Sequence, residues 1–275
     1  MKYIFIFILP ILLINLACEQ EGLNSFETET AVISGYLYAG YPVDSIRITQ
    51  SISYSQSDSS IISLDELSPS LSDGNTSWNL TSIGNGYYHN PDIIVESETT
   101  YQLKFEHQGE EVSAITYVPL AREASLSTLE IEMDRIESGG FPGNLGEQPD
   151  PIEINWDNSE GDYYYVLIEN IEANPRYINE FLRELLEENG QTGRFQRISE
   201  PEISDFYAIN PRRDLQQFGT HRVIVYRVNP EYAALYQSSS SSTLTISEPP
   251  TNVNNGLGIF SGLSGDTLYF EVIER

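Results

Sequence analysis

The sequence contains one cysteine, Cys18, and only two lysines, Lys2 and Lys104. A single thiol makes no internal disulfide and no cysteine-based metal centre. With 41 acidic residues against 14 basic ones, the formal net charge is −27. A field of that sign repels phosphate backbones and anionic headgroups, which excludes nucleic acid as a partner and argues against polyanionic substrates. Tryptophan is scarce, with two residues, whereas tyrosine, with 18, leads the aromatics. Stability must come from burying apolar area, and Tyr with Thr, Ile and Val favours strands.

Catalytic signatures are missing as well. The three histidines are His89, His107 and His221, and no HExxH pair sets two of them on one helical face. There is no GxSxG elbow to present a strained serine and no GxxxxGK loop to cradle phosphate. Serine is abundant, but nothing local joins one to a histidine and an acid. Acidic residues are plentiful, yet no pattern sets two across a cleft at the roughly 5–10 Å that a glycosidase needs. The residues therefore point to a protein that is not an enzyme.

The N-terminus carries the sharpest signal. Lys2 precedes an apolar run from Tyr3 to Ile14, broken only by Pro10, and Leu16-Ala17 leads into Cys18. Charge followed by a short apolar stretch is the layout of a secretory signal. The run is shorter than the roughly 20 residues of a membrane-spanning helix. Ala17-Cys18 resembles the lipobox of bacterial lipoproteins, with Asn15 departing from its usual aliphatic residue. That resemblance implies cleavage before Cys18 and a lipid on its sulfur. Residues 1–17 are then a signal peptide and 18–29 an acidic tether. Glu19-Gln20-Glu21 resembles the surface-export signal of such lipoproteins.

Beyond the tether, strand signals dominate. Ala31–Tyr38 reads as a strand, and Val43–Ile52 alternates with period two. Trp78–Ile83 reads as another, ended by Gly84-Asn85-Gly86. Thr100–His107 and Glu111–Val118 flank a turn at Gln108-Gly109. Residues 30–119 thus hold the strands of a small sandwich. A second β-rich domain spans 120–275. Within it, Ile152–Trp156 and Tyr163–Ile168 predict a hairpin around Asp157–Asp162. Ile178–Glu188 has the three- and four-residue spacing of an amphipathic helix. Residues 190–219 read as irregular, and His221–Val228 as a strand. Pro230–Gln237 predicts one or two helical turns. Gly256–Gly262 and Asp266–Ile273 read as separate segments.

Several stretches together resemble an uncharacterised outer-membrane lipoprotein family of the Bacteroidota, domain of unknown function 4249. They are AVISGYLY with SIRITQSISY, NGYY at 85–88, TYQLKFEHQGEEVSAITYVP at 100–119, HRVIVYRVNPEYAALYQS at 221–238 and NVNNGLGIFSG at 252–262. The resemblance implies a transthyretin- or immunoglobulin-like N-terminal β-sandwich and a second β-rich domain with one or two short helices. It also implies a surface-exposed, non-enzymatic outer-membrane lipoprotein, held by the lipid on Cys18, that serves a TonB-dependent receptor as a binding or accessory component. The alternatives are a lipid-anchored adhesin or matrix component, or a surface glycan or peptide hydrolase. The family brings no cofactor.

Two further patterns bear on binding. Asp157–Asp162 is oxygen-rich and permits calcium, but it lacks the EF-hand spacing and reads better as a turn. Tyr163-Tyr164-Tyr165, with Tyr87-Tyr88 and Trp78, suggests a sugar-stacking platform. Alternation sets Tyr163 and Tyr165 on one face and Tyr164 on the other, and at least one face should be core.

Overall fold

The computed structural model describes residues 29–52, 61–137, 149–190, 193–239 and 250–275, and the protein is mainly β. Strand β1 (Ala31–Tyr38) shows the rule of construction. Ala31, Ile33 and Leu37 are buried, while the residues between them are more open. That alternation gives a strand with one core-facing side. A turn at residues 38–41, closed by Tyr41 N–H donating to Tyr38 O, leads into antiparallel β2 (Pro42–Gln50). β7 (Tyr87–Ile94) and β6 (Thr81–Gly84) extend the same sheet. Facing it is a five-stranded sheet in the order β17 (Val253–Asn254), β9 (Glu110–Val118), β8 (Thr99–His107), β4 (Ser70–Ser72) and β5 (Ser77–Asn79). Ile33, Leu37, Ile46, Ile48, Leu71, Tyr88 and Leu103 fill the space between them. The result is a β-sandwich.

The stretch Trp78–Ile83 is two strands rather than one. β5 pairs with β4 and β6 pairs with β7, so the chain changes sheets at Leu80. Leu80 is buried in the core, and its N–H donates to Pro69 O. Burying that side chain between the layers outweighs continuing the strand.

The second half repeats the two-layer plan. β13 (Tyr163–Asn170) lies between β14 (Gln196–Ile198) and β16 (Gly219–Val228). Opposite lies a three-stranded sheet of β10 (Ala124–Leu126), β12 (Ile152–Trp156) and β15 (Phe206–Ile209). Ile152, Ile154, Val166, Ile168, Val223 and Val225 make its core. The hairpin expected from β12 and β13 is absent, because each strand pairs in a different sheet. The connection is an arch held by Asn158. Its Oδ1 accepts from Asp162 N–H at 2.8 Å, and its Nδ2 donates to Asp162 O and Ser204 O at 3.0 Å each. Asn158→Ala removes all three bonds and is expected to destabilise the fold by about 2 kcal/mol. A lower urea midpoint at unchanged slope would show it; an unmoved midpoint would mean the arch holds without its side chain.

Strand β18 (Leu257–Glu274) joins the two halves. At 18 residues it extends about 60 Å at the usual strand rise. It runs parallel to β1 from Leu257 to Leu263 and antiparallel to β16 from Leu263 to Val272. Phe260 and Val253 sit in the first core, and Phe270 and Val272 in the second. One sheet therefore runs β14-β13-β16-β18-β1-β2-β7-β6 across the molecule. The C-terminal residues cross the division expected at 119/120, and the segments 256–262 and 266–273 are one strand. Gly258 permits the close approach to β1. Its φ is +95°, and a Cβ there would lie 2.0 Å from Ile33 O.

Three helices complete the described residues: α1 (Glu180–Glu188), α2 (Pro211–Asp214) and α3 (Pro230–Ser239). α1 begins two residues later than its apolar spacing suggests, because Asn179 caps it by accepting from Leu182 N–H. α2 and β15 lie in the stretch expected to be irregular. Asn210 caps α2 and Pro211 opens it, while buried Asp214 accepts from Arg213 and from Asn210 N–H.

Candidate binding surface

The inner side of the long sheet covers both cores, so its outer side is set by the other half of each alternation. On β18, Phe260, Leu268, Phe270 and Val272 point inward, which turns Leu263, Gly265, Thr267 and Tyr269 outward. On β13, Tyr164 lies in the core, while Tyr163, Tyr165 and Leu167 belong to a separate outer cluster. Tyr36 and Tyr38 of β1 and Tyr226 of β16 join them. Helix α3 lies over part of this face and adds Tyr232 and Tyr236.

The rings are in ordered contact. Tyr165 stacks on Tyr226 at 4.9 Å between centroids and on Tyr232 at 5.6 Å. Tyr36 meets Tyr232 edge-on at 5.6 Å, and Tyr38 meets Tyr226 edge-on at 5.8 Å. Such pairs add about 0.5–1.5 kcal/mol each beyond the area they bury. Gly265, opposite Tyr226 in register, lets that ring lie across the strand. A Cβ there would come within 2.9 Å of Tyr226 Cδ1. α3 is tied down by Asn229, whose Nδ2 donates to Tyr117 O at 2.7 Å and to Thr116 Oγ1 at 3.0 Å.

Burial pushes the Tyr226 phenol up to about 12, and it raises Tyr165 and Tyr232 well above the ordinary phenol range. Tyr38 is raised by the same cause, reinforced by neighbouring Tyr36 and Asp44. These hydroxyls stay protonated at physiological pH. They make the outer cluster one of neutral phenols, with no phenolate base.

Beyond α3 the face is open. Tyr41 and Tyr269 are 56% and 51% exposed. Arg222 is opposite Tyr269 on one side and Glu169 on the other, and its Nε donates to Glu169 Oε1 at 2.6 Å. Tyr41 and Tyr269 both lie within electrostatic reach of Arg222. Nine of the 18 tyrosines therefore share this one side of the molecule.

The residues singled out in the sequence fall elsewhere or contribute in part. Cys18 lies outside the described residues, as does the whole stretch 1–28. Of the proposed stacking platform, Tyr163 and Tyr165 join the outer cluster. Tyr88 is core, with its hydroxyl donating to Leu64 O, and Trp78 packs against the first core. Tyr87 lies under the Arg47 guanidinium. In the turn considered for calcium, Glu160 is paired with Arg122 and Arg227, and Asp162 with Arg227. Those oxygens are already engaged by cations, and no group of three metal-ligating side chains occurs among the described residues. His107 meets the backbone carbonyl of Glu29, and His221 is buried. No helix among the described residues is long and apolar enough to cross a membrane.

A second concavity lies beside α1, lined by Arg135, Arg176, Arg183 and Arg194. Arg135 and Arg183 pair with Glu180, Arg183 also with Glu187, and Arg176 with Glu274. That network largely neutralises itself, which leaves the tyrosine face as the stronger candidate.

Fold and site together define a mainly β protein of two fused layered halves, with an aromatic outer face on their shared sheet. The chain belongs to the family of the domain of unknown function DUF4249, whose model matches residues 19–268. No curated protein matches it. Among solved structures it is similar to the chicken CNTN1 FN1–FN3 domains, at 10% identity over 73% of this chain and 59% of that one, with a TM-score of 0.27. It is also similar to Titin-A168169, at 12% identity over 90% of this chain and 97% of that one, with a TM-score of 0.22. The chain thus spans about 59% of the length of the first of these. Both likenesses are loose, and the architecture rests on the strand pairing described above.

Proposed function

We propose that this protein is a non-enzymatic lipoprotein, anchored through Cys18 in the outer membrane and facing the cell exterior. There it acts as a binding or accessory component beside a TonB-dependent receptor. The exposed rings of Tyr41 and Tyr269, which continue the outer aromatic cluster past α3, carry the reading, because tyrosine is enriched at recognition surfaces. The charge-then-apolar leader before Cys18 supports the anchor.

Two measurements test it. Cys18→Ser is expected to leave the precursor uncleaved or shift the protein from the membrane to the soluble fraction, seen by fractionation and intact mass. Unchanged size and fractionation would refute the anchor. Affinity purification from native membranes is expected to recover a large outer-membrane receptor at near one-to-one stoichiometry; recovery of the protein alone would refute the accessory role.

A further inference from the structure

We propose that the open part of the tyrosine face, formed by Tyr38, Tyr41, Tyr226, Tyr269, Arg222 and Glu169, binds a neutral oligosaccharide. The assignment rests on the tyrosine face being the protein's binding surface.

The face divides into two parts. Under α3, Tyr165, Tyr232 and Tyr36 pack on one another and act as a small core. Away from α3, the rings of Tyr41 and Tyr269 are more than half exposed, and no helix among the described residues covers them. Tyr38 and Tyr226 continue this surface inward, edge to face at 5.8 Å. Between the rings Ile224 is only 6% exposed, while Ile94, opposite Pro42, and Ile198, opposite Leu167, are exposed at the margins of the face. The centre of the patch is therefore aromatic and polar.

Its charge points the same way. Arg222 is paired with Glu169, while Asp44 beside Tyr38 and Glu271, two residues beyond Tyr269 on the same face, add negative charge, so the area keeps the sign of the whole chain. A polyanion would meet repulsion from the patch and from the molecule as a whole. A neutral sugar would not. Its C–H face packs on a tyrosine ring, and its hydroxyls lie in the plane where phenols, guanidinium and carboxylate offer donors and acceptors. The Glu169 carboxylate fixes the Arg222 fork with two of its five N–H groups, which pre-orients the others at low entropic cost.

The test uses full-length protein in a detergent without a sugar headgroup. It is titrated calorimetrically with cellohexaose, laminarihexaose, maltohexaose, mannohexaose and xylohexaose, with polygalacturonate as the anionic comparison. At least one neutral hexaose is expected to bind. Tyr41→Ala and Tyr269→Ala should each weaken that binding about tenfold, with thermal unfolding unchanged because both side chains are exposed. Arg222→Lys should weaken it less, and Tyr117→Ala, an exposed tyrosine on β9, should leave it intact. Tighter binding of polygalacturonate, binding indifferent to Tyr41 and Tyr269, or no binding by any hexaose at millimolar concentration would overturn the proposal. In the last case the same variants are carried through the membrane affinity purification. If they lose the copurifying receptor, the face is a protein-binding surface and only the sugar is wrong; if they keep it, the binding-surface reading falls as well.

Discussion

A fragment ending at Pro119 is expected to stay unfolded, although residues 30–119 read in sequence as a self-contained sandwich. The first core is incomplete without the C-terminus. Phe260 is fully buried in it and Val253 nearly so. Removing a buried phenylalanine costs about 3–5 kcal/mol, and a buried valine adds roughly 1.5 more. The cut also strips β1 of its parallel partner from Val32 to Tyr38 and leaves a hydrophobic edge open. Gly262 shows how closely the strand is embedded, for a Cβ there would lie 2.5 Å from Tyr117 O. These losses are comparable to the roughly 5–15 kcal/mol that holds a whole domain together. Residues 19–119 should therefore give a poorly dispersed amide spectrum and no cooperative urea transition. Appending residues 250–264 through a flexible linker should restore both. A cooperative transition in the bare fragment would show that the halves are separable after all.

The same strand marks where sequence reading succeeds and where it stops. β1, β2, β8 and β9 are legible because each is long and shows a period of two in its residues, and β16 because its run of strand-favouring residues, buried on both faces, is long. β10, β14 and β15 are three or four residues long, too short for a period to emerge. Partner choice is less legible still. The residues of β12 and β13 do not tell a hairpin from an arch; the difference lies in how Asn158 satisfies Asp162 and Ser204. The parallel pairing of β1 with β18 joins residues more than 200 positions apart and leaves no local trace. The Gly256–Gly262 segment looks like a loose apolar loop until Gly258 and Gly262 are seen to admit neighbouring backbone.

The tyrosine face inherits this difficulty. Tyr36 and Tyr38 sit two apart on a strand whose other side carries Ile33 and Leu37, so their outward direction could be read from β1 alone. Tyr163 and Tyr165 follow the same logic. Their meeting with Tyr226 and Tyr232 depends on sheet order and on where α3 lands, neither of which is written locally. A surface drawn from five separate segments is visible only once the long sheet is assembled.

Acidification from pH 7 to pH 5 is expected to lower stability by about 2 kcal/mol, and His221 is the cause. The ring is fully buried at the end of the second core, stacked on Phe270 at 5.1 Å. Nδ1 lies 2.9 Å from Gly219 O, which fixes the proton on that nitrogen. Nε2 is buried with no partner, so a second proton would create an unsatisfied charged donor. Burial lowers its pKa to about 4 from 6.5, against the smaller opposing pull of the Gly219 carbonyl and the Glu172 carboxylate. The folded state therefore binds the proton more weakly than the unfolded chain. Its contribution is complete above pH 6.5 and declines as pH falls from 6.5 towards 4. Glu172, held below its usual value mainly by Thr220 N–H and hydroxyl donors, loses its own contribution only at lower pH, through the carboxylate range. The interval from 7 to 5 thus belongs to the histidine. His221→Phe keeps an aromatic ring against Phe270 and cannot titrate, so its urea midpoint should change far less over that interval, whatever its absolute stability. Parallel losses in the parent and the variant would mean that the ring is hydrated in the folded state and that its burial does not set the acid limit of this protein.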